Sequence, residues 1–352
     1  MSEKDIKKSA NKDLHSAKNN KKDEFYTQLS DIEKELKYYK DHFKGKVVFC
    51  NCDDPRVSNF FHYLSYNFEK LGLKKLITTC YKSQDVDLFT SEKSDKAIFL
   101  VYEGDKNNDK IPNIEEIGIK ELKGNGDFRS LESIELLKEA DIVVTNPPFS
   151  LFREFVSQLT EYDKKFLIIG NVNAISYKEI FNLIKENKLW LGASIHSGDR
   201  EFGVPEDYPL LASGSRIDET GKKYIRVKGV RWFTNLEYNE RFEDLILFQK
   251  YNKEQYPKYD NYDAIEVSKT KDIPCDYDGL MAVPITFLDK YNPEQFQLLG
   301  IMDRENSSGL RIKKYEKSEV PNANDLNARG VIKVNDKYKA MYVRLLIKNK
   351  RL

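Results

Sequence analysis

Residues 141–149 read Asp-Ile-Val-Val-Thr-Asn-Pro-Pro-Phe. The first five are a short β-branched run, the pattern of a strand buried inside a sheet. The next four stop it. Two prolines fix two φ angles at about −65° and remove two amide donors, so the turn is stiff and rich in acceptors. Helical spacing resumes over residues 152–159, which makes the stretch a strand, a rigid turn and a helix. In an open α/β sheet ligands bind at the carboxyl ends of strands, which is where Asn146, Pro147, Pro148 and Phe149 fall. An Asn side-chain oxygen and the Pro147 carbonyl can accept both hydrogens of a planar exocyclic amine, and Phe149 offers a ring face. An ordinary strand-ending proline turn satisfies the same four residues.

Working outward, residues 46–52 (KVVFCNC) and 76–81 (LITTCY) read as buried strands. Between them 58–71 is helical, with Phe61, Leu64, Phe68 and Leu71 on one face and Gly72 as its stop. That is a βαβ unit. A further helix is expected over 30–43, the arms of a hairpin over 97–102 and 117–122, and a helix over 131–139. Past the turn, 166–169 is a strand and 180–187 a helix. Such alternation predicts an α/β fold with a mainly parallel, doubly wound sheet. Strands are also expected at 226–233 and 245–249, and a hairpin joins 331–334 to 342–347 around Asn335 and Asp336. The expected organisation is a flexible basic arm over 1–22, an α/β body over 23–250 and a separate region over 251–352.

The 352 residues are 40% hydrophobic and 12% aromatic, enough for a real core although 33% are charged. The apolar runs fall short of the roughly 20 residues of a membrane span, and the polar amino terminus has no secretory signal pattern, so a cytoplasmic protein with no membrane partner is expected. Four cysteines, at 50, 52, 80 and 275, suit a reducing compartment. Four scattered histidines show no metal-ligand spacing, so no metal is expected. The net charge of +1 hides a balance of +4 over 1–22, −11 over 23–310 and +8 over 311–352. Basic ends on an acidic body suit contact with a polyanion, since each neutralised phosphate releases counterions; a solvated, lysine-rich surface has the same composition.

The proline turn and its neighbours together resemble the EcoRI-type adenine-specific DNA methyltransferases, within the S-adenosylmethionine-dependent amino-methyltransferases. The resemblance runs through residues 23–28 (DEFYTQ), 47–55 (VVFCNCDDP) with 58–60 (SNF), 126–128 (GDF), 141–156, 231–235 (RWFTN), 283–293 (VPITFLDKYNP) and 344–348 (RLLIK). It implies a Rossmann-like catalytic domain followed by a C-terminal α+β target-recognition region that binds double-stranded DNA. By resemblance, the cofactor S-adenosylmethionine would meet Phe25, Tyr26, Thr27, Asn51, Asp53, Asp54, Pro55, Asp127, Phe128 and Asn146. Catalysis would fall to Asn146, Pro147, Pro148 and Phe149. The target adenine would stack on Phe149 and on Trp232 or Phe233, although both of the latter fit equally well as strand core. Where the wider superfamily has a glycine-rich turn, this chain has Arg-Val-Ser-Asn-Phe over 56–60. Where it has an acid at the end of the second strand, Thr79, Cys80 and Tyr81 stand, and the ribose contact is open. The same NPPF turn occurs in methyltransferases acting on RNA adenine or on protein glutamine, so those substrates stay as alternatives. A restriction endonuclease is the partner such a system admits.

Overall fold

A computed structural model describes residues 25–52, 58–79, 97–107, 112, 116–204, 206, 208–210, 214–307, 309–318, 320–335 and 337–352. The basic arm 1–22 lies outside the described residues, as do Asp53, Asp54, Pro55, Cys80 and Tyr81. The molecule is mixed α/β and divides into two compact units. One holds the described residues of Met1–Ala174 with Gly192–Glu237; the other holds Ile175–Leu191 with Tyr238–Leu352. The break therefore falls at Tyr238, and the helix Lys178–Lys185 belongs to the second unit rather than to the body that precedes it in sequence.

In the first unit β1 is Tyr26–Thr27, β2 Val47–Asn51, β3 Lys75–Thr79, β4 Ile98–Tyr102, β5 Ile117–Glu121, β6 Ile142–Thr145 and β7 Lys165–Asn171. They are followed by β8 (Asp199–Val204), β9 (Arg216–Ile217), β10 (Lys223–Lys228) and β11 (Val230–Thr234). Seven of these strands make one sheet in the order β5-β4-β3-β2-β6-β7-β11. Its centre, β3-β2-β6-β7, is parallel. The hairpin β4–β5 and the strand β11 add antiparallel neighbours at its two sides, so the sheet is mixed. Strand order runs one way from β2 to β3 and the other way from β6 to β7, so it reverses between β2 and β6. Asp141 sets that junction, its backbone N–H donating to the Val47 carbonyl at 2.9 Å and its carboxylate accepting from Val47 N–H at 2.8 Å.

The helices are α1 (Leu29–Leu36), α2 (Asn59–Tyr66), α3 (Phe68–Leu71), α4 (Leu131–Glu139) and α5 (Phe152–Glu161). The expected helix over 30–43 stops at Leu36 and continues only as a 3₁₀ turn at Lys40–His42; the one over 58–71 breaks at Asn67. Ser58 caps α2, its hydroxyl accepting from Phe60 and Phe61 N–H at 3.2 and 3.4 Å. The stretch 226–233 is two strands rather than one. Gly229, at φ 70°, turns the chain out of β10 and into β11. β10 pairs with β8 in a second sheet, β1-β8-β10-β9, and β11 pairs with β7 in the first. One stretch thereby serves both sheets.

The second unit has a four-stranded sheet in the order Ala264–Glu266, Leu280–Pro284, Arg344–Asn349, Phe296–Ile301. The expected pairing of 331–334 with 342–347 is corrected here. Val331–Val334 pairs with Lys337–Ala340 across a tight turn, and Arg344–Asn349, buried along most of its length, goes to the centre of the sheet instead. Residues 245–249 form no strand: Gln249 makes one bridge, the Gln295 amide holds the Leu245 backbone, and Ile246 and Phe248 are left exposed. No helix among the described residues is long and apolar enough to cross a membrane.

Candidate active site

The carboxyl ends of β2 and β6 meet where the strand order reverses, the position at which open α/β sheets bind ligands. The Thr145 hydroxyl donates to the Asn51 carbonyl and ties the two ends together. Beside them the Thr78 hydroxyl donates to the Cys50 carbonyl at 3.0 Å. The side-chain oxygen of Asn51 and the hydroxyl of Thr79, at the ends of β2 and β3, are buried with no partner among the described residues.

Asn146 follows β6 directly. Its Nδ2 donates to the Phe25 carbonyl at 2.6 Å, and the side chain is only 7% exposed. A carbonyl can only accept, so this bond fixes which end of the amide faces Phe25. The other end, Oδ1, is buried and accepts nothing among the described residues. Such an orphaned acceptor costs about 1–3 kcal/mol, which an N–H donor placed against it recovers. The turn takes up the Pro148 carbonyl, which accepts from Leu151 N–H at 3.0 Å.

Phe149 is half-buried and packs roughly perpendicular to two other rings. Phe25 lies 5.8 Å away at 77° and Phe202 6.5 Å away at 89°. Phe25 in turn contacts Phe202 at 5.9 Å and Tyr208 at 6.3 Å. Perpendicular neighbours constrain the ring, and it stays partly exposed. Phe25 is positioned through β1, where Tyr26 and Thr27 pair with Gly203 and Phe202 of β8, and the Thr27 carbonyl accepts from Asn59 Nδ2 at 2.7 Å. The Thr27 hydroxyl is buried with no partner among the described residues.

The loop entering β8 is anchored by Glu35 of α1, a fully buried carboxylate. It accepts from Tyr39 OH at 2.8 Å, Ala193 N–H at 2.8 Å and Ser194 N–H at 2.7 Å. Burial pushes its pKa up, against the opposing effect of those bonds. Gly192 is obligatory beside it, since a Cβ there would meet both the carboxylate and the Trp232 side chain.

The structure therefore brings Phe25, Tyr26, Thr27, Asn51, Asn146 and Phe149 into one neighbourhood of strand ends. Asp127 and Phe128 have partners of their own. The Asp127 carboxylate accepts from Arg129 Nε at 2.9 Å and Nη2 at 2.7 Å, and Phe128 is buried edge-on against Phe155 at 5.1 Å. Trp232 and Phe233 take the core alternative. Both are fully buried in β11, Trp232 against Phe60 at 5.9 Å and Phe233 against Phe152 at 5.0 Å, so neither presents a face to an incoming base. Phe202, Tyr208 and Glu35 were missed by sequence reasoning, which reached Asn59 only as part of the 58–60 stretch and Thr79 only as the residue standing where an acid is usual. Glu35 alone left a local trace, as an acid beside the apolar stripe of α1; the others join the site only through long-range pairing.

A family model described as adenine-specific methyltransferase EcoRI matches residues 13–350. The chain belongs to this family. Among EcoRI-family relatives, the type II methyltransferase M.EcoRI of Escherichia coli is 53% identical over 344 residues, covering 97% of this chain and 98% of the relative. The type II methyltransferases M.MgeORF184P of Mycoplasma genitalium and M.MpnI of Mycoplasma pneumoniae are 40% and 39% identical, over 96% and 95% of this chain. No solved structure matches the chain. The EcoRI-family match thus spans both units, and the Asn-Pro-Pro-Phe turn lies within it.

Proposed function

We propose that this EcoRI-family enzyme transfers a methyl group from S-adenosylmethionine to the exocyclic N6 amine of an adenine turned out of double-stranded DNA. The observation that carries the reading is the Asn146 amide, whose NH₂ end is consumed by the Phe25 carbonyl and whose buried Oδ1 is left to accept. Asn146 Oδ1 takes one amine hydrogen and the Pro147 carbonyl takes the other. Holding both hydrogens draws the amine lone pair out of conjugation with the ring and aims it. Phe149, braced by Phe25 and Phe202, stacks the purine. An adenine inside a duplex cannot reach such a turn, so extrusion, at a cost of a few kcal/mol, precedes chemistry.

The unpartnered buried atoms of Thr27, Asn51 and Thr79 line up with a ligand bearing ammonium and hydroxyl donors, as this cofactor does. These residues, with Tyr26, would hold it. When bound, it supplies a methyl already activated on a sulfonium, so the protein needs no strong base and contributes chiefly by positioning. The central strand order, reversing between β2 and β6, supports a Rossmann-like doubly wound catalytic unit. The second unit, with its +8 balance over 311–352, is read as the target-recognition region.

Two measurements test this. Calorimetry with S-adenosylmethionine should show binding to the full chain, and long-read mapping in a methylation-free host should show N6-methyladenine at one recurring sequence. No binding overturns the reading. Binding with unmarked DNA moves the substrate to RNA or protein.

A further inference from the structure

The second unit carries a two-stranded antiparallel ribbon, Val331–Val334 against Lys337–Ala340, whose base and tip differ in character. At the base, Val331 is buried with Tyr315, Ala323 and Leu326, and Ile332 is buried with Tyr259, Tyr262 and Met302. Side-chain and backbone bonds lock this end. Val331 N–H donates to the fully buried Asn261 Oδ1 at 2.8 Å, the Val331 carbonyl accepts from Asp260 N–H at 2.8 Å, and Met341 N–H donates to the Gly330 carbonyl at 2.8 Å. Tyr338 meets Tyr315 edge-on at 5.2 Å, and the Tyr315 hydroxyl donates to Asp260 at 2.6 Å. Beyond this foundation Lys333, Val334, Asn335, Lys337 and Lys339 are all exposed.

The register sorts these side chains. Val334 faces Lys337 and Ile332 faces Lys339, so Val334, Lys337 and Lys339 share one face; Lys333 shares the other with Tyr338. Asn335, at φ 48°, opens the turn at the tip. Four residues per strand give a ribbon about 13 Å long, of which the outer two per strand, about 7 Å, stand clear of the buried base, and paired strands lie about 4.8 Å apart. The major groove of B-form DNA is about 12 Å wide and admits a two-stranded ribbon. The ribbon's three lysines outnumber Asp336, the acid next to Asn335 in sequence, so a firmly rooted, narrow, net basic projection with an amide at its tip matches that groove in width, charge and donor chemistry.

We propose that the ribbon 331–340 enters the major groove of the substrate duplex, with Lys333, Lys337 and Lys339 on the phosphates and Val334 and Asn335 at the base edges. The proposal rests on the DNA-methyltransferase reading and adds where the duplex is gripped. Valine suits a thymine methyl, and asparagine can bond an adenine edge in two places.

The test uses the full chain and duplex DNA carrying the mapped site, followed by fluorescence anisotropy across a salt series. In K333A/K337A/K339A the slope of log Kd against log salt should fall by about two to three, because each phosphate contact contributes about 0.9. Cofactor binding should stay unchanged, and the thermal midpoint should move no further than in Lys333→Ala alone, which removes a charge interacting with Asp260. N335G keeps the left-handed turn and the charge. It should retain the slope and lose discrimination between the mapped site and a scrambled duplex. An unchanged slope in the triple variant overturns the groove assignment and leaves the lysines as protection of an exposed strand edge. Unchanged discrimination in N335G overturns the base-edge role. If the wild-type chain marks adenine while both variants behave like it, only the ribbon proposal fails; if the wild type neither marks adenine nor binds duplex, the parent reading fails.

Discussion

Replacing Asn146 with aspartate exchanges an NH₂ for an oxygen at almost constant volume, and the structure makes that exchange costly. The amide donates to the Phe25 carbonyl at 2.6 Å from a side chain only 7% exposed. An ionised carboxylate would set oxygen against oxygen there, losing a bond and stranding a buried acceptor for about 1–3 kcal/mol. Desolvation and the facing carbonyl both favour the protonated acid, so its pKa rises. Once protonated, the acid donates its O–H to Phe25 and keeps a carbonyl oxygen for the amine. Asn146→Asp should therefore work in its protonated form, fastest in mildly acid solution, and lose rate as pH climbs through the raised pKa. Asn146→Ala removes the acceptor at every pH; loss of one preorganised hydrogen-bonding group at a reacting centre costs about 10²–10³ in rate, or about 2.7–4 kcal/mol. Single-turnover methyl transfer with saturating DNA and cofactor, measured from mildly acid to mildly alkaline pH, isolates the chemical step. An aspartate variant with a flat, near-native profile, or an alanine variant slowed by less than about tenfold, would refute the assigned orientation of the amide.

Two further predictions concern buried charge. Glu35 has a pKa raised above its ordinary 4.5 by burial. An acid with a raised folded-state pKa contributes stability that is fully present below its unfolded value and lost as pH rises through the folded one. Urea midpoints of the native chain should thus fall, relative to Glu35→Gln, as pH rises from about 4.5; a constant difference across that range would contradict it. In the second unit Arg344 donates to the buried Glu266 at 2.8 Å. Arg344→Met should cost about 3–5 kcal/mol by leaving that buried carboxylate without its cation, held only by the Tyr259 and Ser268 hydroxyls, and adding Glu266→Leu should restore part of the loss in denaturant unfolding, the Tyr259 hydroxyl then lacking its acceptor. A double variant as unstable as the single one would locate the cost elsewhere.

Elements with a strong local period were legible in the sequence. The helix over 131–139 coincides with α4, and the strands at 47–51, 75–79 and 142–145 lie within or next to their expected runs because each is a short apolar stretch closed by a turn signal. Failures came where one stretch answers to two partners. Residues 226–233 read as a single β-rich run, yet Gly229 splits it between two sheets. Residues 342–347 have the composition of a hairpin arm, but Tyr342 and Val343 stay exposed, the buried stretch Arg344–Asn349 becomes a central strand, and the lysine-bearing segment Lys337–Ala340 closes the hairpin instead. Residues 245–249 are an apolar run like a buried strand, yet they join no strand: the Gln295 amide takes the Leu245 backbone and Gln249 makes one bridge. Periodicity reports which side chains can share a face; it carries no information about which backbone will supply the hydrogen bonds.

The same distinction operates inside the site. That Asn146 stands at a strand end on a proline turn follows from nine consecutive residues, but an amide has two ends of similar shape, and those residues do not say which end meets a substrate. The choice is made by the Phe25 carbonyl, 121 positions earlier in the chain. That carbonyl is held in place by β1, which pairs with β8; the Asn59 amide at the start of α2 pins the other side of β1, and the loop entering β8 is fixed by the buried carboxylate of Glu35. The end of the Asn146 amide left open, which the proposed reaction uses as an amine acceptor, is thus chosen by contacts that lie far from the motif in sequence. Substitutions at Asn59 or Glu35 should accordingly lower the rate of methyl transfer more than they lower affinity for the cofactor, because they release the orientation of an acceptor without removing it.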